Sequence, residues 1–459
     1  MKKIIVIIFI LFPFMNTALM FAYGVENDTS YSFVLDNNDN WNNKLRQIES
    51  ISGKKVEYSV KEVNLIDIST THNIAEKING LPFVDSYSET SVISPPKVYK
   101  KNIINNSSVL PKAWDLQWDM KLVTHNGDSY SITEGSKNTT VAIIDSGIYK
   151  DHPDLKGNFI GGKNLVPYLG FDSKEKEETG DINDLDDDLG HGTLVAGQVA
   201  ANGNIKGIAP GVSLKVYRVF GNSSAKSSWI TKAIIEAAND DSDVINLSLG
   251  DYYLNNRSNK KIDNKTDIKA YKKAINYANS KGSVVVAAVG NDGLNVRNKL
   301  EMLNFYKDKK QTYDIKGKII DVPADLPNVV TVSSTGPNNE KSIFSNYGEN
   351  FVDITAPGGD YKLLNKYGED FWNEQGMIQK EFILSTSING YYDYQVGTSL
   401  AAPKVSGAIA LVIDKYKYKD SPEKSISHIY KYGVVDRENS IIFGKGSLDI
   451  FSALKAHSE

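Results

Sequence analysis

"TVAIIDSGI" (residues 140–148) joins a six-residue apolar run ending in Asp145 to a turn made of a serine and a glycine. A run this continuous has no solvated face, so it belongs inside a sheet covered on both sides. "SLKVYRVF" (213–220), "DVINLSL" (243–249) and "SVVVAAVG" (283–290) repeat the pattern, with helical stretches at 192–201, 228–239 and 267–281 between them. The alternation predicts an α/β fold, a mainly parallel sheet layered between helices. Ligands of such sheets gather at the carboxyl ends of the strands, which is where Asp145 stands.

Two further residues fit that place. "GHGTLVAGQVAA" puts His191 at the start of one helix, and "GTSLAAPKVSG" (397–407) puts Ser399 at the start of another. Each has a plain structural reading: Asp145 as a strand-end turn residue, His191 and Ser399 as helix caps. Together they supply a chemistry. A serine hydroxyl is a poor nucleophile until a base takes its proton, histidine does so near neutral pH, and a carboxylate fixes the histidine tautomer. "VVVAAVGNDG" ends a strand with Gly290 and Asn291, whose amide is suited to donate to an oxyanion. Pro403 is tolerated near the start of its helix.

The 459 residues are 41% hydrophobic and 24% charged, enough for a substantial core. A formal net charge of −4 gives no indication of a nucleic-acid partner, and the absence of cysteine excludes disulfides, thiolate metal sites and a cysteine nucleophile. Six scattered histidines without HExxH spacing argue against a metal-dependent hydrolase. Lys2 and Lys3, the apolar run from Ile4, and the small residues Ala22 and Gly24 read as a secretory signal over 1–24. The alternative is a membrane anchor, against which Pro13 and Asn16 interrupt the run. The expected product is secreted, with no stable membrane anchor.

Residues 25–93 read as a separate unit of order β-α-β-β-α-β, a ferredoxin-like sandwich: "YSFVL" (31–35), "WNNKLRQIES" (41–50), "VEYSVKEVNLIDIS" (56–69), "THNIAEKINGL" (71–81) with Thr71 a candidate cap, and "VDSYSETSVI" (84–93). The tract at 94–114 has linker composition.

"AIIDSGI", "GHGTLVAG", "INLSLG", "VVVAAVGNDG", "FSNYG…VDITAPG" and "GTSLAAPKVSG" together resemble the subtilisin-like serine proteases over residues 139–455. The resemblance implies catalytic roles for Asp145, His191, Asn291 and Ser399. It implies that Ser248, Leu249 and Gly250 pair with substrate backbone, and that Ala288, Val289 and Gly290 wall the pocket for the residue before the scissile bond. It makes 25–100 a propeptide that chaperones and inhibits, 101–138 a linker and first segment of the mature enzyme, and 139–459 the catalytic domain. An unrelated substrate-binding domain is the other reading of the N-terminal unit. Within the family, "LQWDMKLVT" (116–124) and the insert at 294–320 resemble lantibiotic leader peptidases, which cut the leader from a lanthionine-bridged precursor. A general degradative subtilase and a catalytically silent binding module are the alternatives.

Leu194, Ala402 and Lys404 depart from the family pattern. "NGNIKGIAP" (202–210) lacks part of a loop that binds calcium in many members. Asp154 is a candidate ligand, but one carboxylate does not make a calcium site; no cofactor is required for catalysis. By the same resemblance Asp251 and Asp292 lie near the pocket rim, where a carboxylate would favour Arg or Lys. The run at 172–188 holds nine acidic and two basic residues, read either as a solvated surface or as a guide for a basic peptide. The same preference makes Lys97, Lys100 and Lys101 candidate self-cleavage sites.

Overall fold

The structure, a computed structural model, describes residues 27–96, 113–255, 263–310 and 317–456. The expected signal at 1–24 and the candidate cleavage lysines Lys97, Lys100 and Lys101 lie outside the described residues.

A nine-stranded sheet forms the centre. Its spatial order is Val434–Val435, Ser447–Leu448, Ile354–Pro357, Val329–Thr335, Val284–Ala288, Val244–Leu247, Thr140–Asp145, Ser213–Arg218, Phe159–Asn164. Every neighbouring pair is parallel except the first. Alternate side chains enter two different cores. Ala142, Ile144, Ile245, Leu247, Val285 and Ala287 meet the helices Ser227–Asn239 and Lys265–Ser280. Val141, Ile143, Val244, Val284 and Val286 meet the helices His191–Ala200 and Thr398–Tyr416. Burial on both faces is why these strands read as unbroken apolar runs. They end earlier than expected from sequence, the third at Leu247 and the fourth at Ala288, so Ser248–Gly250 and Val289–Asn291 lie beyond the sheet.

The N-terminal unit is a four-stranded antiparallel sheet in the order Tyr58–Val60, Leu65–Thr70, Thr29–Leu35, Val84–Glu89, with the helices Trp41–Ser52 and His72–Asn79. This is the spatial order of a ferredoxin-like sandwich. One face holds its own core of Phe33, Ile66, Ile68, Trp41, Ile48, Ala75 and Ile78. From the other, Val34, Val60, Val63 and Leu65 join the core beside Trp229. Thr71 precedes its helix but makes no side-chain capping bond. The expected strand at 84–93 is two strands, and Val92–Ile93 pairs antiparallel with Ala225–Lys226 of the larger domain.

The segment read as linker is folded from Ala113 on: three short helices, Ala113–Leu116, Trp118–Val123 and Asp128–Ile132, bury Met120 and Val123 in the second core. The insert contributes a helix, Lys299–Lys310, and a strand, Lys318–Val322, antiparallel to Asp251–Asn255.

Candidate active site

Asp145 closes its strand and His191 opens its helix, both buried. His191 Nδ1 lies 2.8 Å from Asp145 Oδ1 and 3.0 Å from Oδ2, so Nδ1 carries the proton and Nε2 is left as the basic nitrogen. Nε2 has no hydrogen-bond partner among the described residues. Burial pushes the imidazole pKa down, but the charge and hydrogen bond of Asp145, with Asp187 behind it, outweigh burial, and the net shift is upward.

The helix start is held by groups that sequence reading missed. Ser146 Oγ accepts from Gly192 N (2.9 Å) and donates to Asp187 Oδ1 (2.7 Å). Asp187 also takes Gly190 N (2.7 Å), Thr193 N (2.8 Å) and Thr193 Oγ1 (2.6 Å). Otherwise unsatisfied N–H groups of the first turn are thereby capped by a carboxylate. The acidic run divides: Asp172, Glu177, Asp181, Asp186 and Asp188 are exposed, while Glu178 and Asp187 are buried and structural. Asp187 caps the histidine helix, and Glu178 forms a bidentate buried pair with Arg218 at 2.6 and 2.8 Å.

Ser399 is the second residue of its helix and borders an open cavity. Pro403 lacks the N–H that would bond Ser399 O; Ser248 Oγ donates to that oxygen instead, at 2.9 Å. Gly397, at φ +151°, adopts a backbone that L side chains rarely take, and a Cβ there would crowd Ser399 Oγ at 3.0 Å and touch Asn291 Nδ2 at 3.5 Å. Asn291 Oδ1 accepts from both Thr398 N and Thr398 Oγ1 at 2.9 Å. That fixes the amide's orientation and turns Nδ2 toward the space over Ser399.

Beside Ser399 lies a cavity of about 180 Å³ whose lining includes Ser248, Leu249, Gly250, Asp251, Ala288, Gly290, Asn291 and Asp292. Val289 does not line it: its side chain is fully buried in the first core, because side chains alternate where the chain leaves the sheet. Asp251 is ion-paired with Lys309 (2.7 Å) and Lys310 (3.1 Å) of the insert helix. Asp292 accepts from Tyr252 Oη at 2.6 Å. A third carboxylate, Asp321, also lines the cavity, and burial pushes its pKa well up. Its one sequence signal was its place in the insert's last strand, which pairs beside Asp251. Ser94 and Pro96, at the end of the small domain, line the same cavity.

Asp154 is not placed as a metal ligand. Its carboxylate accepts from Asn204 N, Ile205 N and Tyr392 Oη, each at 3.0 Å, and so closes the loop by itself. Among the described residues no three His, Cys, Asp or Glu side chains are grouped to hold a metal ion.

A strand-end carboxylate, a helix-start histidine and a helix-start serine facing a side-chain amide define a serine protease of the subtilisin type. The subtilase family model matches residues 136–441, and the chain belongs to that family. It is 43% identical to the epidermin leader peptide-processing serine protease EpiP of Staphylococcus epidermidis, over 99% of each chain. It is 45% identical to the nisin leader peptide-processing serine protease NisP of Lactococcus lactis subsp. lactis, over 72% of this chain and 48% of that one. The crystal structure of EpiP from Staphylococcus aureus superposes with a TM-score of 0.85 at 40% identity, covering 94% of this chain and all of the other.

Proposed function

We propose that this chain is an exported endopeptidase that removes the leader from a lanthionine-containing precursor peptide, cutting after a basic residue. The observation that carries the reading is the acidic cavity beside Ser399, walled by Asp251, Asp292 and Asp321. A guanidinium there meets carboxylates in a partly desolvated site, where charge-assisted pairs are strong. Two relatives named for leader processing, EpiP and NisP, favour the same substrate class.

In this reading Ser399 Oγ attacks the scissile carbonyl while His191 Nε2 takes its proton. Asp145 holds the imidazole and stabilises the imidazolium. Asn291 Nδ2 and the Ser399 N–H receive the oxyanion. The imidazolium returns its proton to the departing amine as the C–N bond breaks, leaving an acyl-enzyme on Ser399. Water, deprotonated by His191, then releases the acid. Ser248, Leu249 and Gly250 pair with substrate backbone as an added strand.

The precursor reads as signal 1–24, propeptide 25–100, a first mature segment to 138, and catalytic domain 139–459. The propeptide role is supported by Val92–Ile93 pairing at the cleft edge and by Ser94 and Pro96 lining the cavity. No helix among the described residues is long and apolar enough to cross a membrane. The test is digestion of a peptide library, with Ser399→Ala as control, read by mass spectrometry. Narrow cutting after Arg supports leader processing. Broad cutting after large apolar residues replaces it with a degradative protease.

A further inference from the structure

Lys404 follows Ser399 by five residues on the same helix, and its side chain is fully buried. Nζ donates to Gln198 Oε1 at 2.5 Å and to Leu400 O at 3.1 Å, and stands 2.8 Å from Asp119 Oδ2. One ammonium therefore joins the serine helix, the histidine helix through Gln198, and the short helix Trp118–Val123 through Asp119. Asp119 is also fully buried, and its Oδ2, 2.8 Å from Nζ, makes it the counter-ion of the ammonium. Burial pushes the Lys404 pKa down, and Asp119 opposes that shift.

A buried ion pair is a poor way to stabilise a fold, because apolar residues of the same volume often do as well or better. It is a good way to fix a register. Both helices send small or branched apolar residues into the second core, Val195, Ala196 and Val199 from one and Ala401, Ala402 and Val405 from the other, and Leu194 and Leu400 share a smaller apolar cluster. The hydrophobic driving force between such faces is non-directional, and small side chains interlock only shallowly, so a directional polar link adds to what fixes the axial position. The third element is itself anchored: Gln117 exchanges hydrogen bonds with Lys206 at 2.7 and 2.9 Å, and Trp118 Nε1 donates to Phe382 O at 2.9 Å.

We propose that Lys404 is a positioning residue which, through Asp119 and Gln198, sets the axial register of the serine helix against the histidine helix and so the approach of Ser399 to His191. Asp119 belongs to the segment that follows the small domain, so that segment is part of the active enzyme's machinery. The inference rests on Ser399 as nucleophile and His191 as base.

The test uses variants expressed as the full chain, with active sites counted by a fluorophosphonate probe and turnover measured on a short peptide. Lys404→Met is expected to lower kcat about tenfold to a hundredfold, the scale of a small misalignment of reacting groups, with KM unchanged within about twofold. It should also lower the thermal midpoint. Asp119→Leu combined with Lys404→Met should restore the midpoint, since no charge is stranded, while kcat stays low. If kcat returns with stability, the pair only supports the fold and the inference is overturned. Should the double variant not fold, Gln198→Leu keeps the ion pair and removes both Gln198 links, to Lys404 Nζ and to Leu384 O at 3.0 Å, and Gln198→Glu, which keeps the acceptor for Lys404, is the control. A fall in kcat at constant KM supports the inference, and full kcat overturns it. Probe labelling that is lost in Ser399→Ala but kept in Lys404→Met separates failure of positioning from failure of the nucleophile assignment.

Discussion

Replacing Lys309 by methionine isolates the electrostatics of the cleft. The ammonium lies 2.7 Å from Asp251 and lines the cavity that would take the substrate's basic side chain. It also stands 5.0 Å from the Tyr252 ring centroid, held over that face. A substrate guanidinium seated among Asp251, Asp292 and Asp321 would lie about 6 Å from it. At an effective dielectric constant of about 40, between a surface pair and bulk water, the repulsion is about 1.4 kcal/mol, or about tenfold in affinity. The Lys309 side chain is 40% exposed, so salt screening brings the expected gain to about three- to tenfold. The assay compares kcat/KM for peptides differing only in Arg or Leu before the scissile bond, at low and high salt. Lys309→Met should raise the Arg value alone, and the gain should shrink with salt. An Arg-to-Leu ratio that stays constant or falls would refute the argument, because Lys309 would then be holding Asp251 in place rather than competing with substrate. Asp321 adds a pH signature. Its carboxyl is held neutral beyond the usual range, so the preference for Arg should grow as pH rises through that raised pKa.

Asn291→Ala should lower kcat about 10²–10³-fold, the range seen when one oxyanion donor is removed from subtilisin itself, with the thermal midpoint little changed; unchanged turnover would remove Asn291 from the oxyanion site. Asp67 is buried between the two domains, accepting from Ser32 Oγ and Ser228 Oγ, and burial pushes its carboxyl up to about 7. The docked form therefore binds the proton more tightly than a solvated carboxyl near 4. Docking is strongest below about pH 4, weakens up to about pH 7 and levels off above, by up to about 4 kcal/mol in all. Affinity of the separately made small domain should follow that curve, and Asp67→Asn should flatten it; a flat wild-type curve rejects the assignment. Glu178→Gln breaks the buried pair with Arg218 and should cost about 3–5 kcal/mol of stability in the Ser399→Ala background, read by calorimetry. A loss under about 1 kcal/mol would mean that Asp188, 3.6 Å from Arg218, takes over the pairing.

The parts legible in the sequence were those with local grammar. Strands buried on both faces declare themselves as apolar runs, so Thr140–Asp145 and Val284–Ala288 could be placed and their ends searched. His191 and Ser399 stand at helix starts beside glycines that suit the geometry: at Gly397 the backbone has φ +151° and a Cβ would crowd the Ser399 hydroxyl. What could not be read were partners far apart in the chain. Asp187 looked like one more charge in an acidic run, although its bonds to Ser146 and Thr193 make it the cap of the histidine helix. Asp321 lies 70 residues beyond Asp251, and only the pairing of Asp251–Asn255 with Lys318–Val322 brings the two together. Val289 was misplaced for a simpler reason. Val289 continues the alternation of its strand by one residue, so its side chain turns into the first core while Ala288 and Gly290 border the cavity.

Charge balance then separates structural from ligand-seeking carboxylates. Buried charges near the site come in compensated sets: Asp145 with His191, Asp187 with the N–H and hydroxyl donors around it, Asp154 with three donors, Glu178 with Arg218, and Asp119 with Lys404. Each resolves the cost of removing a charge from water. The cleft does not follow that rule. Lys309 and Lys310 both engage Asp251, Asp292 is met by the Tyr252 hydroxyl, and Asp321, apart from a long 3.4 Å contact with Asn346, is left to its raised pKa. Three carboxylates against two ammonium groups leave one negative charge whenever Asp321 ionises. Under the proposed function, the cation that completes this site once Asp321 ionises is the basic side chain of the peptide seated beside Ser399.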